Sequence, residues 1–348
     1  MKPGIAPETS MPVLLVRPCA GNEAGLAAHL TSVLAARRPP HLTVGFSVAD
    51  PEDAALPVIE AAAQALRAAG ITVHIQGVDP GDAPNRKAAQ LAAWLPQVPP
   101  DGVMVCVDSD VDLTDFPLDS LIAPLDDLAV GATWAPPAEH GGTTPGDRAS
   151  AAFLGASLHA FALLGPLDPQ GLVGKVFAVR AEALRLSGGL AGMEHTLGED
   201  MALAQRLRFG GYRVVMVPTP ARAFPRGRTR AAVVARFARW FAVIRAQRPA
   251  LLAAYPLLFG ATTPLVLLSL IMGAWSVVAL ALGTRWVVAF AARHYSGLPS
   301  NPLILLRDVV EGEWVTWAAF LRTMRSREVE WRGRRLRIDR QGRLSAVT

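Results

Sequence analysis

Short runs of β-branched residues alternate with alanine- and leucine-rich stretches from Met11 to about Pro220. The pattern predicts strands at Val13–Val16, Leu42–Val48, Thr72–Gln76, Val103–Val107, Val130–Trp134, Val176–Val179 and Arg213–Val217. Between them Ala24–Ala36, Pro57–Ala69, Arg86–Leu95 and Met201–Phe209 carry helical spacing. Strands alternating with helices predict an α/β fold, a mostly parallel sheet with helices on both faces. Ligands bind such sheets beyond the carboxyl ends of the strands, so polar residues just after strands carry most of the functional information.

The pattern changes further along. Pro136–Pro145 (PPAEHGGTTP) reads as a loop, and Ala149–Leu164 as an apolar helix, short and rich in small residues for a membrane span. Ala231–Gln247 is an arginine-rich helix, and no charge follows between Arg248 and Arg285. A single helix over that uncharged stretch would run about 54 Å at 1.5 Å per residue, beyond the ~30 Å hydrocarbon core of a bilayer. Pro256, Gly260, Pro264 and Gly273 interrupt it, so the expectation is a short hairpin ending near Ala292, with Arg285 snorkelling to the interface. Leu303–Leu321 is apolar at 303, 306, 310, 314, 317 and 321, with Arg307, Asp308, Glu311 and Glu313 on other faces. That spacing predicts an interfacial helix. The expected division is therefore a catalytic domain over 12–248, membrane-spanning or interfacial helices over 249–323, and a basic tail over 324–348.

Composition sharpens the membrane reading. Hydrophobic residues make up 51% of the 348 residues and charged ones 18%, below the ~25% usual for globular domains. The mean hydropathy is +0.29. The net charge of +5 is carried almost wholly by arginine, since lysine occurs only at Lys2, Lys87 and Lys175. Arginine concentrates in Arg222–Arg248 and Arg322–Arg343, on either side of the most apolar region. Such blocks suit anchors on the cytoplasmic membrane surface; no nucleic-acid motif or aromatic platform accompanies them, so nucleic acid is not an expected partner. Cys19 and Cys106 are too few for a disulfide framework or a zinc site, which suits a reducing compartment. The opening MKPGIAPETSMP has no apolar core, so neither a signal peptide nor a leading transmembrane helix is expected.

The sharpest chemical signal is VMVCVDSDVD, Val103–Asp112, in which a buried strand delivers Asp108 and Asp110 at its carboxyl end. Two carboxylates there offer hard oxygens to Mg²⁺ or Mn²⁺, which bridge a diphosphate; a solvated strand-end turn has the same sequence. Asp50 follows the Leu42–Val48 strand in the same way, and a helix N-cap is its alternative. Glu199-Asp200 opens the helix MALAQRLRFGGYR, where acidic residues are favoured by the helix dipole and where a base can also take a proton from a hydroxyl. Arg236-Phe237-Ala238-Arg239-Trp240 fits either diphosphate oxygens or a basic amphipathic anchor. Lys87 and Lys175 stand out because lysine is otherwise avoided; each suits a phosphate or the open surface.

In this order the pieces form a series: an aspartate after the second strand, D-x-D after a middle strand, Glu-Asp opening a late helix, then R-x-x-R-W before apolar segments. The series resembles the ceramide glucosyltransferase family of glycosyltransferases, whose pattern is D, D, D and [Q/R]-x-x-R-W. RPCAGNEAGL, PNRKAAQL, GEDMALAQRLRFGGYRV and the terminal WRGRRLRI support it over roughly Pro12 to Leu344. The resemblance implies a GT-A fold and an inverting single displacement. It implies that Glu23, Asp50, Lys87, Asp108, Arg236, Arg239 and Trp240 contact the donor. It further implies that Asp108 and Asp110 hold Mg²⁺ or Mn²⁺ and that Asp200 is the general base.

The expected activity is transfer of a sugar from a UDP-sugar to the hydroxyl of a membrane lipid, on the cytoplasmic face of a bacterial inner membrane. Ceramide-type acceptors come first, with a hopanoid acceptor and a UDP-N-acetylglucosamine donor as the alternative. A processive polysaccharide synthase shares the R-x-x-R-W logic but needs more spans for a polymer channel. A non-catalytic membrane scaffold is the reading from another class.

Overall fold

The computed structural model describes residues 11–164, 171–331, 334–339 and 342–346. The opening MKPGIAPETS, expected to lack an apolar leader, lies outside the described residues. The chain divides into two compact units, one of residues 1–137 and 168–224, the other of residues 138–167 and 225–348.

The first unit is built on a seven-stranded sheet. Across it the order is Thr72–Gly77, Leu42–Val48, Val13–Cys19, Val103–Val107, Val176–Arg180, Val130–Trp134 and Arg213–Met216. The first four strands are parallel to one another, and Arg213–Met216 is parallel to Val130–Trp134. Val176–Arg180 runs antiparallel between Val103–Val107 and Val130–Trp134. The central strands are buried along their whole length and apolar but for Arg17 and Arg180, as a sheet covered on both faces requires. Helix Leu56–Ala68 buries Ile59, Ala62, Ala63 and Leu66, one stripe at helical spacing, each large aliphatic side chain worth about 1.5–3 kcal/mol.

All seven expected strands are present, with ends displaced by no more than a few residues. Shorter elements, such as the antiparallel pair Val111–Asp112 with Ala221–Ala223, carry too few residues to show a period. Pro137–Glu139, inside the expected loop, is another short strand.

The antiparallel strand has a consequence for the site. Val107 pairs with Val176, so the carboxyl end of Val103–Val107 and the start of Val176–Arg180 lie on one sheet edge. Asp108 N–H donates to the Lys175 carbonyl at 2.9 Å there.

In the second unit the helices Pro145–Leu164, Arg230–Gln247, Ala254–Gly260 and Pro302–Arg325 share a core of Phe153, Phe237, Phe241, Phe259, Val315 and Ala319. Among the described residues one helix, Trp275–Tyr295, is long and apolar enough to cross a membrane. The pair Pro249–Gly260 and Thr262–Ile271, bent by 66°, meets the same test taken together. The break leaves backbone groups without partners in their own helix. Arg285 donates to the Phe259 carbonyl at 2.6 Å and Trp317 Nε1 to that of Gly260 at 2.9 Å. The Glu313 carboxylate accepts the Thr262 and Thr263 N–H groups at 3.2 and 2.7 Å. Arg285 is thus turned inward and buried rather than snorkelling, held by the Phe259 carbonyl and by Glu313, whose Oε1 lies 3.7 Å from its Nε.

The segment expected as a basic tail forms an antiparallel sheet of Glu328–Trp331, Arg334–Ile338 and Leu344–Ala346. Leu336 and Ile338 are buried while Arg335 and Arg337 face solvent, a period of two that the arginines conceal.

A sheet packed this closely gives a direct test. Gly45, in the Leu42–Val48 strand, lies against the fully buried Trp94, and a Cβ there would stand 2.8–2.9 Å from the indole. Gly45→Ala is expected to destabilise the protein by about 1–3 kcal/mol, the usual cost of overpacking. The measurement is the unfolding midpoint followed by tryptophan fluorescence; an unchanged midpoint would show that the ring has room to shift.

Candidate active site

The sheet edge described above collects charged side chains from four separate stretches of the first unit. Asp108 and Asp110 come from the turn after Val103–Val107, in which Val111 N–H closes on the Asp108 carbonyl at 3.2 Å. Lys175 arrives from the neighbouring antiparallel strand. Lys87 comes from helix Arg86–Ala93, whose N-cap Asn85 accepts the Ala88 N–H. Glu199 and Asp200 open helix Glu199–Phe209, which starts after Gly198 in the left-handed region at φ 75°.

Their contacts are specific. Lys175 Nζ lies 2.5 and 2.7 Å from the two Asp110 carboxylate oxygens and 3.2 Å from Asp108 Oδ2. Lys87 Nζ lies 2.7 Å from Asp108 Oδ1 and 3.4 Å from Glu199 Oε1, and donates to the Gly174 carbonyl at 2.9 Å. Glu199 Oε2 also accepts from Asn85 Nδ2 at 2.9 Å. Burial alone would raise the Asp108 carboxyl, but the Lys87 and Lys175 ammoniums outweigh it and hold Asp108 below its ordinary value. Burial works against the charge on Lys87 too, yet Asp108 and Glu199 raise it above the ordinary lysine value. Both ions are charged at neutral pH.

Asp200 differs. Its Oδ2 accepts the Gly174 N–H at 2.7 Å and its Oδ1 the Met201 N–H at 2.8 Å. Burial, and next the Glu199 carboxylate, push its pKa up to about 6, against the pull of Lys87 and of those two N–H groups. A Cβ on Gly174 would stand 2.9 Å from Asp200 Oδ2, so a larger residue there would push the carboxylate from its place.

Arg17 holds the turn from beneath. It is fully buried on the first strand, and its guanidinium donates to the carbonyls of Asp108 at 3.0 Å, Val111 at 2.5 Å and His29. Burial pushes its pKa down to about 10, leaving it charged. An arginine following an apolar run was the one visible signal for Arg17, and none marked Asn85, because the partners of both lie far away in sequence.

The structure brings Lys87, Asp108, Asp110 and Asp200 of the expected set together, with Lys175 and Glu199 joining them. Glu23 reaches the turn by accepting from Ser109 Oγ at 3.3 Å. Asp50 is exposed after the Leu42–Val48 strand and accepts the Glu52 N–H at 2.9 Å. It does not cap a helix: Leu56–Ala68 begins without a side-chain cap, and Asp53 accepts the Ala55 and Gly21 N–H groups.

Arg236, Arg239 and Trp240 belong to the second unit. There Arg236 pairs with the buried Glu139, which Arg228 also approaches at 2.9 Å. Burial would raise the Glu139 carboxyl, but the two arginines lower it to about 2. Arg239 donates to the Glu330 carbonyl at 2.9 Å, and Trp240 packs on Phe153 and Phe237.

Among the described residues no group of three or more His, Cys, Asp and Glu side chains is arranged to hold a metal ion. Asp108 and Asp110 nonetheless fit Mg²⁺ or Mn²⁺ in the manner of nucleotide enzymes, where one or two carboxylates suffice because substrate phosphates and water complete the shell.

A parallel sheet with one antiparallel strand, and an acid cluster at the edge where its strands end, define the GT-A class of nucleotide-sugar glycosyltransferases. The chain belongs to Glycosyl transferase family 21, which it matches over residues 4–344. Mannosyltransferase PcManGT from Pyrobaculum calidifontis, in complex with GDP-Man and Mn²⁺, has a similar fold: TM-score 0.53 at 15% identity, over 91% of this chain and 88% of that one. S. aureus TarS 1–349 gives a TM-score of 0.47 at 14% identity, over 94% and 96% of the two chains. Glucosyl-3-phosphoglycerate synthase from Mycobacterium tuberculosis gives 0.41 at 18% identity, over 68% and 80%. A search among curated protein sequences returned no match.

The turn beneath the acid cluster can be tested on its own. Arg17→Met leaves the carbonyls of His29, Asp108 and Val111 without this donor, at a cost of about 3 kcal/mol. The expected result is a lower melting temperature together with weaker binding of UDP by calorimetry. Full nucleotide affinity in the folded variant would show that the turn holds its shape without Arg17.

Proposed function

We propose that this enzyme transfers a sugar from a UDP-sugar to the hydroxyl of a membrane lipid, with inversion, in a single displacement. The observation that carries this reading is the position of Asp200. Its carboxylate is bonded to Gly174, while the next residue, Lys175, is bonded to Asp110. A base and a diphosphate-binding acid pair are therefore held by two adjacent residues, Gly174 and Lys175. Direct attack by an acceptor hydroxyl needs that proximity.

Each residue has a role in this scheme. Asp108 and Asp110 would hold a divalent ion, which when bound would supply positive charge to the leaving diphosphate; the mannosyltransferase of similar fold is in complex with GDP-Man and Mn²⁺. Lys87 fixes Asp108 and adds positive charge beside the phosphates. Glu23 and Asp50 contribute donor contacts at neighbouring strand ends. Asp200 removes the acceptor proton, and burial suits it for this because a carboxyl near 6 is a stronger base than an ordinary aspartate yet is ionised at neutral pH. Arg236, Arg239 and Trp240 are assigned to the donor and acceptor through the family pattern.

A lipid acceptor is favoured by the second unit's surface. Leu267, Leu268, Ile271, Trp275, Leu280 and Val287 are exposed on Thr262–Ile271 and Trp275–Tyr295, a patch that water does not favour. Arginine blocks flank this region, which argues for the cytoplasmic face of a bacterial inner membrane. Residues 12–248 are then the catalytic part, 249–323 the membrane part, and 324–348 a basic surface segment. Ceramide-type acceptors lead on the motif series, followed by hopanoids.

The deciding experiment offers the purified enzyme ceramide, a hydroxylated hopanoid and soluble glycans with a panel of UDP-sugars. A ceramide glycoside is expected. Product with the hopanoid alone would reverse the order of acceptors, and transfer to soluble glycans alone would refute the lipid acceptor.

Asp200 makes a separate prediction. Below about pH 6 its carboxylate takes up a proton, so kcat/KM should fall as pH drops through about 6 and level off above it. Asp200→Asn should lower turnover by about 10²–10⁴-fold and keep UDP-sugar affinity. An equal loss of affinity would place Asp200 at the donor instead.

A further inference from the structure

Among the described residues, the Lys175 ammonium bonds only to the two carboxylates assigned above to the metal: both oxygens of Asp110 and one of Asp108. Lys87 is anchored differently, since the Gly174 carbonyl and Glu199 hold it besides Asp108. A divalent ion takes such oxygens at about 2.0–2.1 Å. An ammonium already 2.5–3.2 Å from those oxygens is a like charge on the same lone pairs, so both ions cannot keep these contacts.

The displaced ammonium sets a second constraint. A divalent ion arriving alone would part Lys175 from Asp108 and Asp110 with no new anion to receive it. A diphosphate arriving with the ion offers the displaced ammonium new oxygens. Lysine suits such a move, being a compact charge on a flexible four-carbon stem. Meanwhile the Lys175 backbone stays pinned by the Asp108 N–H.

We propose that Lys175 is a resident counter-ion of Asp108 and Asp110 that makes divalent-metal binding conditional on the donor's diphosphate, to which its ammonium passes. The proposal rests on the reading of Asp108 and Asp110 as metal ligands. Metal and nucleotide then bind with positive coupling, and the coupling is reciprocal.

The test is a Mn²⁺ titration of the full-length protein with and without UDP, read by calorimetry and by the electron paramagnetic resonance of free Mn²⁺. Wild-type protein should bind Mn²⁺ weakly alone and about tenfold more tightly with UDP. Lys175→Met should bind Mn²⁺ alone about tenfold more tightly than wild type, with a correspondingly smaller gain from UDP. Lys175→Arg keeps the charge and should retain weak binding of Mn²⁺ alone. Mn²⁺ affinity in Lys175→Met equal to or below wild type would overturn the proposal while leaving the metal site standing. Absence of Mn²⁺ uptake by the wild type even with UDP would overturn both. A second measurement needs only native sequence: the chain has three lysines, so protein labelled with ¹³C at lysine Cε gives three signals. Mg²⁺ with UDP should shift the Lys175 signal, assigned with Lys175→Arg, and an unmoved signal would also overturn the proposal.

Discussion

Asp108, Asp110 and Glu199 converge where their mutual repulsion would otherwise drive them apart, and the surrounding architecture answers that repulsion. Two ammoniums lie between them. The buried Arg17 fixes the backbone beneath. Asn85 spends its side chain on Glu199, the Thr196 carbonyl and its own helix. Even the antiparallel strand fits this account, because reversing Val176–Arg180 places the start of that strand, and so Lys175, beside the carboxyl end of Val103–Val107. A parallel strand in that slot would carry Lys175 to the opposite edge.

The sheet was legible because its strands are continuous apolar runs, a pattern set by burial on both faces. The acid pair was legible for a related reason: after five buried residues, polar groups at the carboxyl end must face a ligand or water. Partnership was not legible. Lys87 and Lys175 stood out by rarity, but the composition of neither segment says which carboxylate each will meet. Glu199 read as one of two acids favoured by a helix dipole. Its bonds to Asn85 and Lys87 separate it from Asp200, whose carboxylate accepts from the backbone N–H groups of Gly174 and Met201. Adjacent residues of one sequence motif thus take different chemistries, and only the fold distinguishes them.

The apolar region shows the opposite failure. Hydropathy gave its extent, and Pro256, Gly260 and Pro264 gave a reason to expect interruption. An isolated arginine in such a stretch was read as a side chain seeking water. What decides its direction is the broken helix at Gly260–Ala261, whose carbonyls require donors from outside their own helix. Arg285 and Trp317 supply them, and Glu313 serves the N–H groups beyond the break. Glu313 therefore has a structural use that its place on an amphipathic stripe did not reveal.

The uneven use of the two basic residues follows from the same physics. Arg17 and Arg285 serve fixed positions, where a planar fork satisfies carbonyls of the fold and a permanent charge is tolerated because those partners never leave. The acid cluster has a different requirement if metal and diphosphate enter and leave with each turnover. A guanidinium locked onto Asp108 and Asp110 by paired hydrogen bonds would be hard to displace and would hold the carboxylates closed. An ammonium neutralises the same charge through a single atom on a flexible stem. A chain that otherwise uses arginine places two of its three lysines at this cluster, where the counter-charge has to be strong and also has to give way.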